Sequence, residues 1–506
     1  MRSVVLPLCA ALLASCGDGD ARPAVLRADV VGSFDDPAAP PRIALTQATQ
    51  LGLVQFDGAG QVVPGLAASW RVVDDGRSLI FRLRPAKWSD GRALKAGDVV
   101  AVFRRIMAPG SRNTLRPLLT GIDNAVSVVA GRAPVAMLGV TAPLDNVVEI
   151  RLSSPDAGLL QLLALPQAAI VRAGARPPSI GAFTVADAAA RPLQLTRNAQ
   201  YFAADGVQLG GVALTAAPDP AAAVARFVRG ATDLVTGDGI AGLGEARILA
   251  PRGTLRVETT WGVYGYRANL SGPLADARIR RALAMAIDRD GLARGVFATP
   301  LVVPLVSLVP PDAGAGPAVV PDWAALNKPA RLALAGQLLA AAGYGPDRPL
   351  RLRITLPPGR EHVQVSDRVA RDWSTLGVAV TAIERAPAAQ AQAIARGDYD
   401  LAVVERTSPA PKPLFFLRPY TCRGSSGGYC NTGADALLEG ARTMADEAAR
   451  AEALAFAESA ILADTPMIPL FVPVRWALVG RGVTGWTDNQ GGQHPLAALK
   501  IEEKRR

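Results

Sequence analysis

The stretch WSDGRALKAGDVV, residues 88–100, joins a predicted strand to a predicted helix and sets the fold class. Asp90-Gly91 supplies the tight bend, because glycine adopts left-handed backbone conformations without steric cost. Before the bend, LIFRLR at residues 79–84 partly alternates apolar and polar side chains, which favours a strand. After it, residues 95–107 place their apolar side chains along one face, which favours an amphipathic helix.

The same succession of strands and helices continues toward the C-terminus. Leu350 to Leu356 alternates apolar and charged residues as a strand does, and residues 363–376 follow with a helical pattern. Ala275 to Gly291 predicts a single amphipathic helix, and Met467 to Val472 predicts a last strand. The chain is therefore expected to belong to the mixed α/β class.

Composition excludes several classes of protein. The chain has 506 residues, of which 50% are hydrophobic and 19% charged, so it is not intrinsically disordered and has room for about two to four domains. No apolar run reaches the roughly 20 residues of a membrane-spanning helix. The net charge of +10 comes mainly from scattered arginines without basic runs, so a solvated surface is favoured over nucleic-acid binding or attraction to an anionic membrane.

The N-terminus carries an export signal. Arg2 precedes a short apolar stretch, and Leu13-Ala14-Ser15-Cys16 ends it with small residues and a cysteine. This resembles the lipobox of bacterial lipoproteins, which implies a signal peptide over residues 1–15, acylation of Cys16 and a membrane-anchored protein outside the cytoplasm. The alternative is an ordinary secretory signal with an incidental cysteine.

The four cysteines fit an exported protein. Cys9 would be removed with the signal and Cys16 acylated, which leaves Cys422 and Cys430 separated by a flexible Gly/Ser run. In an oxidising compartment these two are expected to form a disulfide. The two histidines, His362 and His494, cannot make a His-rich metal site, so we expect no metal and no cofactor.

Several segments, taken together and in order, resemble the peptide-binding family of ABC-importer solute-binding proteins, the dipeptide, oligopeptide and nickel group. The segments are LVQFDGAGQVVPGLAASW (53–70), DDG (74–76), FRLR (81–84), WSDGRALKAGDVV (88–100), PSIGAF (178–183), LTRNAQYF (195–202), DARIRRALAMAIDR (276–289) and YCNTGADALL (429–438). They are similar to family motifs such as "V-P-x-L-A-x-S-W", "D-x-R-V-R-Q-A-L-x-x-A-I-D-R" and "Y-x-N-x-x-x-D-x-L-L". Their order and spacing are stronger evidence than any one of them.

The resemblance implies a two-lobe, periplasmic-binding-protein-like α/β fold with a subdomain inserted in the first lobe. The expected parts are the tether and first strand (16–41), the first lobe (24–60, 177–258 and 467–506), the insertion (61–176) and the second lobe (259–466). It also implies a monomer without enzymatic activity that delivers a peptide or similar solute to a permease and an ATPase. No Walker lysine motif occurs, so the ATPase would be a separate subunit.

One departure from the family concerns the ligand. Peptide binders of this family commonly carry an acidic residue that pairs with the peptide's ammonium group, because a buried ammonium needs a compensating charge. Here the aligned position is Pro409, or Ser408 in a register shifted by one, and Lys412 adds a positive charge nearby. We therefore expect a peptide without a charged N-terminus, a modified peptide or another amphipathic solute, with Glu405 as a possible substitute for the missing carboxylate.

Candidate ligand contacts come from the segments that the resemblance assigns to the cleft between the lobes. Aromatic side chains offer flat apolar walls, and a few polar groups set the orientation of a ligand. The candidates are Trp261, Tyr264, Tyr266, Arg406, Thr407, Ser408, Tyr420, Tyr429 and Asn431.

Two short motifs are typical of other functions, hydrolysis and dinucleotide binding. Residues 424–428 match G-x-S-x-G, but the run lies between two cysteines and lacks the strand and helix of a nucleophile elbow. Residues 237–242 match G-x-G-x-x-G, which is better read as a strand–helix turn than as a dinucleotide site. The remaining alternative is a sensor or chaperone-like protein on the same fold that has lost its role in transport.

Overall fold

The structure is a computed structural model of the whole chain, and it describes residues 24–36, 39–156, 158–174, 176–237, 239–314, 316–423, 428–442, 444 and 446–502. The predicted signal peptide (residues 1–15), the predicted lipidation site Cys16 and residues 424–427 of the G-x-S-x-G run lie outside these ranges.

Strands and helices alternate along the described chain, as an α/β protein requires. In chain order the strands are β1 (Val25–Val31), β2 (Val54–Phe56), β3 (Val62–Pro64), β4 (Ala67–Val73), β5 (Ser78–Leu83), β6 (Val140–Leu144), β7 (Val147–Arg151), β8 (Phe183–Asp187), β9 (Leu193–Arg197), β10 (Gly211–Ala217), β11 (Leu234–Thr236), β12 (Leu255–Thr259), β13 (Trp261–Ala268), β14 (Val303–Pro304), β15 (Leu350–Leu356), β16 (Val378–Glu384), β17 (Leu401–Ser408), β18 (Met467–Val472), β19 (Val474–Val479), β20 (Val483–Thr484) and β21 (Lys500–Ile501).

The helices pack against these strands. They are α1 (Pro40–Thr49), α2 (Ala96–Met107), α3 (Ala125–Val129), α4 (Leu159–Leu163), α5 (Pro220–Val228), α6 (Leu243–Leu249), α7 (Ala277–Ala286), α8 (Arg289–Phe297), α9 (Lys328–Ala341), α10 (Arg360–Ser374), α11 (Pro387–Arg396), α12 (Pro413–Leu417), α13 (Thr432–Ala441) and α14 (Glu447–Asp464). Among the described helices, none combines the length and the apolar character that crossing a membrane requires.

Two large mixed sheets form the two lobes. The sheet of the first lobe has the order β12-β19-β11-β1-β10-β9-β8, and β1 runs parallel to both of its neighbours. The sheet of the second lobe has the order β14-β18-β13-β17-β15-β16. The chain passes from the first sheet to the second at Thr260 and returns at Pro473. These two crossings place the ends of β12, β13, β18 and β19 at the junction of the lobes.

The inserted subdomain contains a four-stranded antiparallel sheet of order β4-β5-β7-β6, covered by α2. Its buried apolar side chains form a separate core that extends from Leu51 to Ile180. Within it, Trp88 is 1% exposed, so the bend quoted at the start of the sequence analysis is anchored by its aromatic ring. A lobe and its insertion with separate cores can move as separate bodies.

Two boundaries differ from the sequence-based expectation. Leu51, Leu53 and Phe56 pack into the core of the insertion rather than into the first lobe. The strand Met467–Val472 pairs with β13 and β14 and is buried along its whole length, so it belongs to the second lobe. Because Pro473 separates it from β19, the return to the first lobe comes after this strand and not before it.

The helix expected over 275–291 is two helices. Ile287 takes an extended conformation, and the side chain of Asp288 caps the start of α8 by accepting a hydrogen bond from the amide of Gly291 at 3.0 Å. The break buries Arg289, whose guanidinium donates to the carbonyls of Ala284, Leu305 and Pro469. Burial lowers the pKa of Arg289 to about 9. A side chain that joins three separate segments in this way fixes the packing of the second lobe.

Candidate functional site

A cleft of about 1100 Å³ lies between the two lobes. First-lobe residues on its walls include Gly239, Glu258, Trp476, Trp486 and His494, and second-lobe residues include Gly359, Glu361, His362, Glu405, Thr407 and Pro409. Clefts of this volume are typical of sites for small molecules and short peptides. Both histidines of the chain therefore lie on the walls of one cavity.

Strand β17 contributes to the cleft through alternate residues. Glu405, Thr407 and Pro409 line the cavity. Arg406 instead stacks its guanidinium 4.1 Å above the ring of Phe415, and burial lowers its pKa. Ser408 donates from Oγ to the carbonyl of Ala410 at 2.6 Å. Side chains on a strand alternate between its two faces, so three consecutive residues cannot all face a ligand.

The other sequence-predicted contacts lie behind the walls of the cleft. Tyr264 and Tyr266 are fully buried in the core of the second lobe. Trp261 packs at the edge of a second apolar cluster, which also holds Tyr420 and Tyr429. Of the nine predicted side chains, Thr407 is the one that lines the cleft in the part of the chain that the structure describes.

The residues around the predicted disulfide are held by internal contacts. The structure joins Cys422 and Cys430 by a disulfide. The hydroxyl of Tyr429 and the side-chain amide of Asn431 both donate to a carboxylate oxygen of Asp464, at 2.8 and 2.9 Å. The hydroxyl of Tyr420 contacts the sulfur of Met467 at 2.6 Å, and burial raises the pKa of Tyr420 to about 12. This region stabilises the second lobe beside the cleft.

The wall of the second lobe contains a neutral histidine. Nδ1 of His362 lies 2.9 Å from the hydroxyl of Tyr264, and Tyr264 stacks on Phe471 at 4.5 Å between ring centres. Burial lowers the pKa of His362 to about 4 and raises that of Tyr264 well above its usual range. Both rings are thus uncharged near neutral pH.

The wall of the first lobe contains a histidine paired with a carboxylate. Nε2 of His494 lies 3.1 Å from Oε2 of Glu258, and the imidazole stacks on Trp486 at 3.8 Å between ring centres. Glu258 is 6% exposed, and its Oε1 has no hydrogen-bond partner among the described residues. Residues 258 and 494 are 236 positions apart, and no local motif connects them.

Lys412 is turned away from the cleft toward the inserted subdomain. Its ammonium group forms an ion pair with Asp156, which precedes α4. Pro409, by contrast, lines the cleft and offers neither a carboxylate nor an amide N–H. The sequence analysis expected Lys412 to add a positive charge near position 409. In the structure that charge is balanced by Asp156.

Two other types of site can be assessed from the geometry. No group of three or more His, Cys, Asp or Glu side chains within the described ranges could hold a metal ion. Of the G-x-G-x-x-G segment, Gly237 and residues 239–242 connect β11 to α6, as expected for a strand–helix turn. The carboxylate of Glu361 already accepts from the amides of Gly242 and Gly244. In a dinucleotide site those amides would face a phosphate.

Sequence reasoning missed Glu258, Glu361, Trp476, Trp486 and the role of both histidines. Part of the site could have been predicted from the alternation of side chains along a strand, which places Thr407 on the same side as Glu405 and Pro409 and opposite to its direct neighbours. Another available signal was the rarity of histidine, since the chain has only two. The pairing of Glu258 with His494 had no sequence signal.

Comparison with known proteins agrees with this architecture. Residues 61–428 match the family described as bacterial extracellular solute-binding proteins, family 5 Middle. The chain is 30% identical over 446 residues to the "Probable deoxycholate-binding periplasmic protein YgiS" of Escherichia coli, covering 83% of this chain and 82% of that one. It is 27% identical over 471 residues to the periplasmic oligopeptide-binding protein OppA of Salmonella typhimurium, covering 89% and 86%.

Solved structures give the same result for the fold. The murein tripeptide binding protein MppA of Escherichia coli superposes with a TM-score of 0.83 at 25% identity, over 94% of this chain and 98% of that one. A structure described as the unliganded open form of MppA gives a TM-score of 0.70 over 95% and 98%. The two lobes are thus arranged less like that open form than like the first MppA structure.

The relatives are binding proteins rather than enzymes, and they do not favour a transport-independent role. The chain belongs to family 5 of the bacterial extracellular solute-binding proteins.

Proposed function

We propose that this protein is the exported receptor of an ABC importer and takes a peptide or peptide-like solute into the cleft between its lobes. The cleft carries this proposal, because it is lined by both lobes and large enough for a few amino-acid residues. Relatives named for oligopeptides and a murein peptide support the solute class. Closing of the lobes would then present the loaded receptor, as a monomer, to a permease.

The amine partner of the ligand is proposed to be Glu405 instead of a residue at position 409. Glu405 of β17 lines the cleft, as does Pro409 just after the end of that strand, four residues later. Its carboxylate lies against Gly239 of the first lobe, so a group bound there would touch both lobes. Lys412 does not oppose it, since Lys412 pairs with Asp156.

Calorimetry with trialanine and N-acetyl-trialanine tests this assignment on the wild type and on Glu405→Gln. We expect trialanine to bind the wild type more tightly and this preference to fall about tenfold in the variant, because a buried ammonium loses its counter-charge. Equal binding of both peptides to both proteins would contradict the role of Glu405 and leave peptide binding intact. That result would support the expectation of a ligand without a charged amine.

A second candidate ligand class is an amphipathic non-peptide solute. One observation favours it: the first relative described above is named for deoxycholate, and two tryptophans line the cleft. Deoxycholate belongs in the same calorimetric series. Binding of deoxycholate without binding of either peptide would overturn the peptide assignment.

The membrane anchor is a further part of the proposal. We propose that Cys16 is acylated, which would place β1 only nine residues from the bilayer surface, because β1 begins at Val25. Cys16→Ser is expected to move the protein from the membrane fraction to the soluble fraction, since acyl chains provide about 0.8 kcal/mol per buried CH₂. Cys9→Ser is the matched control and should stay with the membrane. Equal fractionation of both variants would contradict the anchor.

A further inference from the structure

The glycine-rich residues 239–244 of the first lobe lie directly against two carboxylates of the second lobe, those of Glu361 and Glu405. Oε1 of Glu361 accepts from the amide of Gly244 at 2.7 Å, and Oε2 accepts from the amide of Gly242 at 3.1 Å. Glu361 lies in the first turn of α10 and is 3% exposed. Its carboxylate is therefore held by the opposite lobe.

Glycine is needed at several points of this contact. A β-carbon at Gly244 would lie 2.8 Å from Oε1 of Glu361, and one at Gly239 would lie 2.4 Å from Oε1 of Glu405. On the other side, Gly359 has φ of +143° and a β-carbon there would lie 3.3 Å from that of Ala241. A β-carbon at Gly239 or Gly244 would displace the end of a glutamate side chain from this contact, and one at Gly359 would also be strained by its positive φ.

From these contacts we propose that Glu361 and residues 239–244 form a clasp that biases the lobes toward the closed arrangement. Hydrogen bonds from amides to an ionised carboxylate are stronger than neutral ones. Separating the lobes breaks both bonds at once and exposes two backbone amides and a carboxylate to water. The clasp rests on the two-lobe fold and is independent of which solute the cleft takes.

A second contact joins the insertion to the second lobe. Asp156 pairs with Lys412, and Oγ of Ser154 donates to the carbonyl of Arg442 at 3.1 Å. The Asp156 and Lys412 side chains are 28% and 22% exposed, so water weakens this pair more than the buried clasp. Of these two contacts, that of Glu361 is accordingly the stronger. The guanidinium of Arg247 in the first lobe also donates to the carbonyl of Phe297 in the second.

Small-angle X-ray scattering of the ligand-free full chain, stripped by unfolding and refolding, tests the clasp. We expect Glu361→Ala to raise the radius of gyration by about 1 Å above a closed value of about 23 Å. Glu361→Gln keeps one acceptor oxygen and should give a smaller rise. The exposed Glu452 provides the matched control, and Glu452→Ala should scatter as the wild type does.

A second variant keeps the test decisive if Glu361→Ala fails to fold. Gly244→Ala places a methyl group 2.8 Å from Oε1 of Glu361, which displaces the carboxylate from the Gly244 amide, and alanine favours helix α6. Gly244→Ala should raise the radius of gyration as well. Wild-type scattering from Gly244→Ala, or from a folded Glu361→Ala, would overturn the clasp. Because no ligand is added, this outcome is separate from failure of the proposed peptide binding.

Discussion

The two walls of the cleft each present one histidine, and the two histidines have opposite surroundings. On the first lobe, His494 pairs with the carboxylate of Glu258 and stacks on Trp486. On the second lobe, His362 pairs with the hydroxyl of Tyr264 inside an aromatic stack. The first pair brings an ionisable carboxylate to the cavity, whereas the second extends the apolar core to the edge of the cavity.

The difference shows how one residue type can serve recognition on one wall and packing on the other. Tyr264 is fully buried, and His362 is 3% exposed, so their hydrogen bond is isolated from water. The side chain of His494 is 11% exposed, so it is more accessible from the cleft. Of the two histidines, His494 is therefore the more accessible polar side chain, whereas His362 belongs to the packed support of the second-lobe wall.

The largest expected effect is an acid-dependent loss of stability through His362. Its pKa in the folded protein is lowered from 6.5 to about 4, so its contribution is fully present above about pH 6.5 and is lost as the pH falls through 4. The shift corresponds to about 3 kcal/mol. Denaturant unfolding of the wild type and of His362→Gln between pH 4 and pH 7 measures it, and the variant should show a flatter dependence. If wild type and His362→Gln showed the same dependence of stability on pH, or if NMR placed the pKa of His362 near 6.5, the buried, neutral environment assigned to His362 would be wrong.

A smaller effect comes from a matched pair of substitutions, one on each wall. Tyr264→Phe keeps the stack on Phe471 and leaves the buried Nδ1 of His362 without its hydroxyl partner, which should lower the free energy of unfolding by about 1.5 kcal/mol. Glu258→Gln keeps an acceptor oxygen for His494, so we expect a loss of about 0.5 kcal/mol.

Denaturant unfolding at neutral pH compares the two variants. Tyr344→Phe, at a partly exposed position, is the control and should stay within about 0.5 kcal/mol of the wild type. If Glu258→Gln lost more stability than Tyr264→Phe, the first-lobe wall would be the structural one, and the assignment of roles would be reversed.

Local elements of the fold could be predicted closely from the sequence. The strands at 350–356 and 467–472 have the expected bounds, because alternation and continuous apolar character depend only on neighbouring residues. The helix expected at 275–291 is interrupted at Ile287, and the buried Arg289 after the break joins the carbonyl of Ala284 to those of Leu305 and Pro469. No periodicity reveals these contacts.

The candidate site was less accessible to sequence reasoning. Thr407 was predicted and lines the cleft, but Arg406 and Ser408 lie on the other face of the strand. Tyr264 supports the cleft from behind through His362 rather than facing a ligand. Aromatic residues near a lobe crossing are attractive candidates for binding, yet the same residues fill the core where two sheets meet.

The sequence by itself determined the family, the α/β class and the position of the main strands and helices, because order, spacing and local periodicity are properties of the chain. The tertiary structure decided which side chains face the cleft and which residues of the two lobes touch each other. Glu258 and His494 are 236 residues apart, and Glu361 and Gly242 are 119 apart. The contact of Glu361 with Gly242 forms only when the two lobes meet, and that of Glu258 with His494 only when the C-terminal segment returns to the first lobe. Local sequence carries no record of either approach.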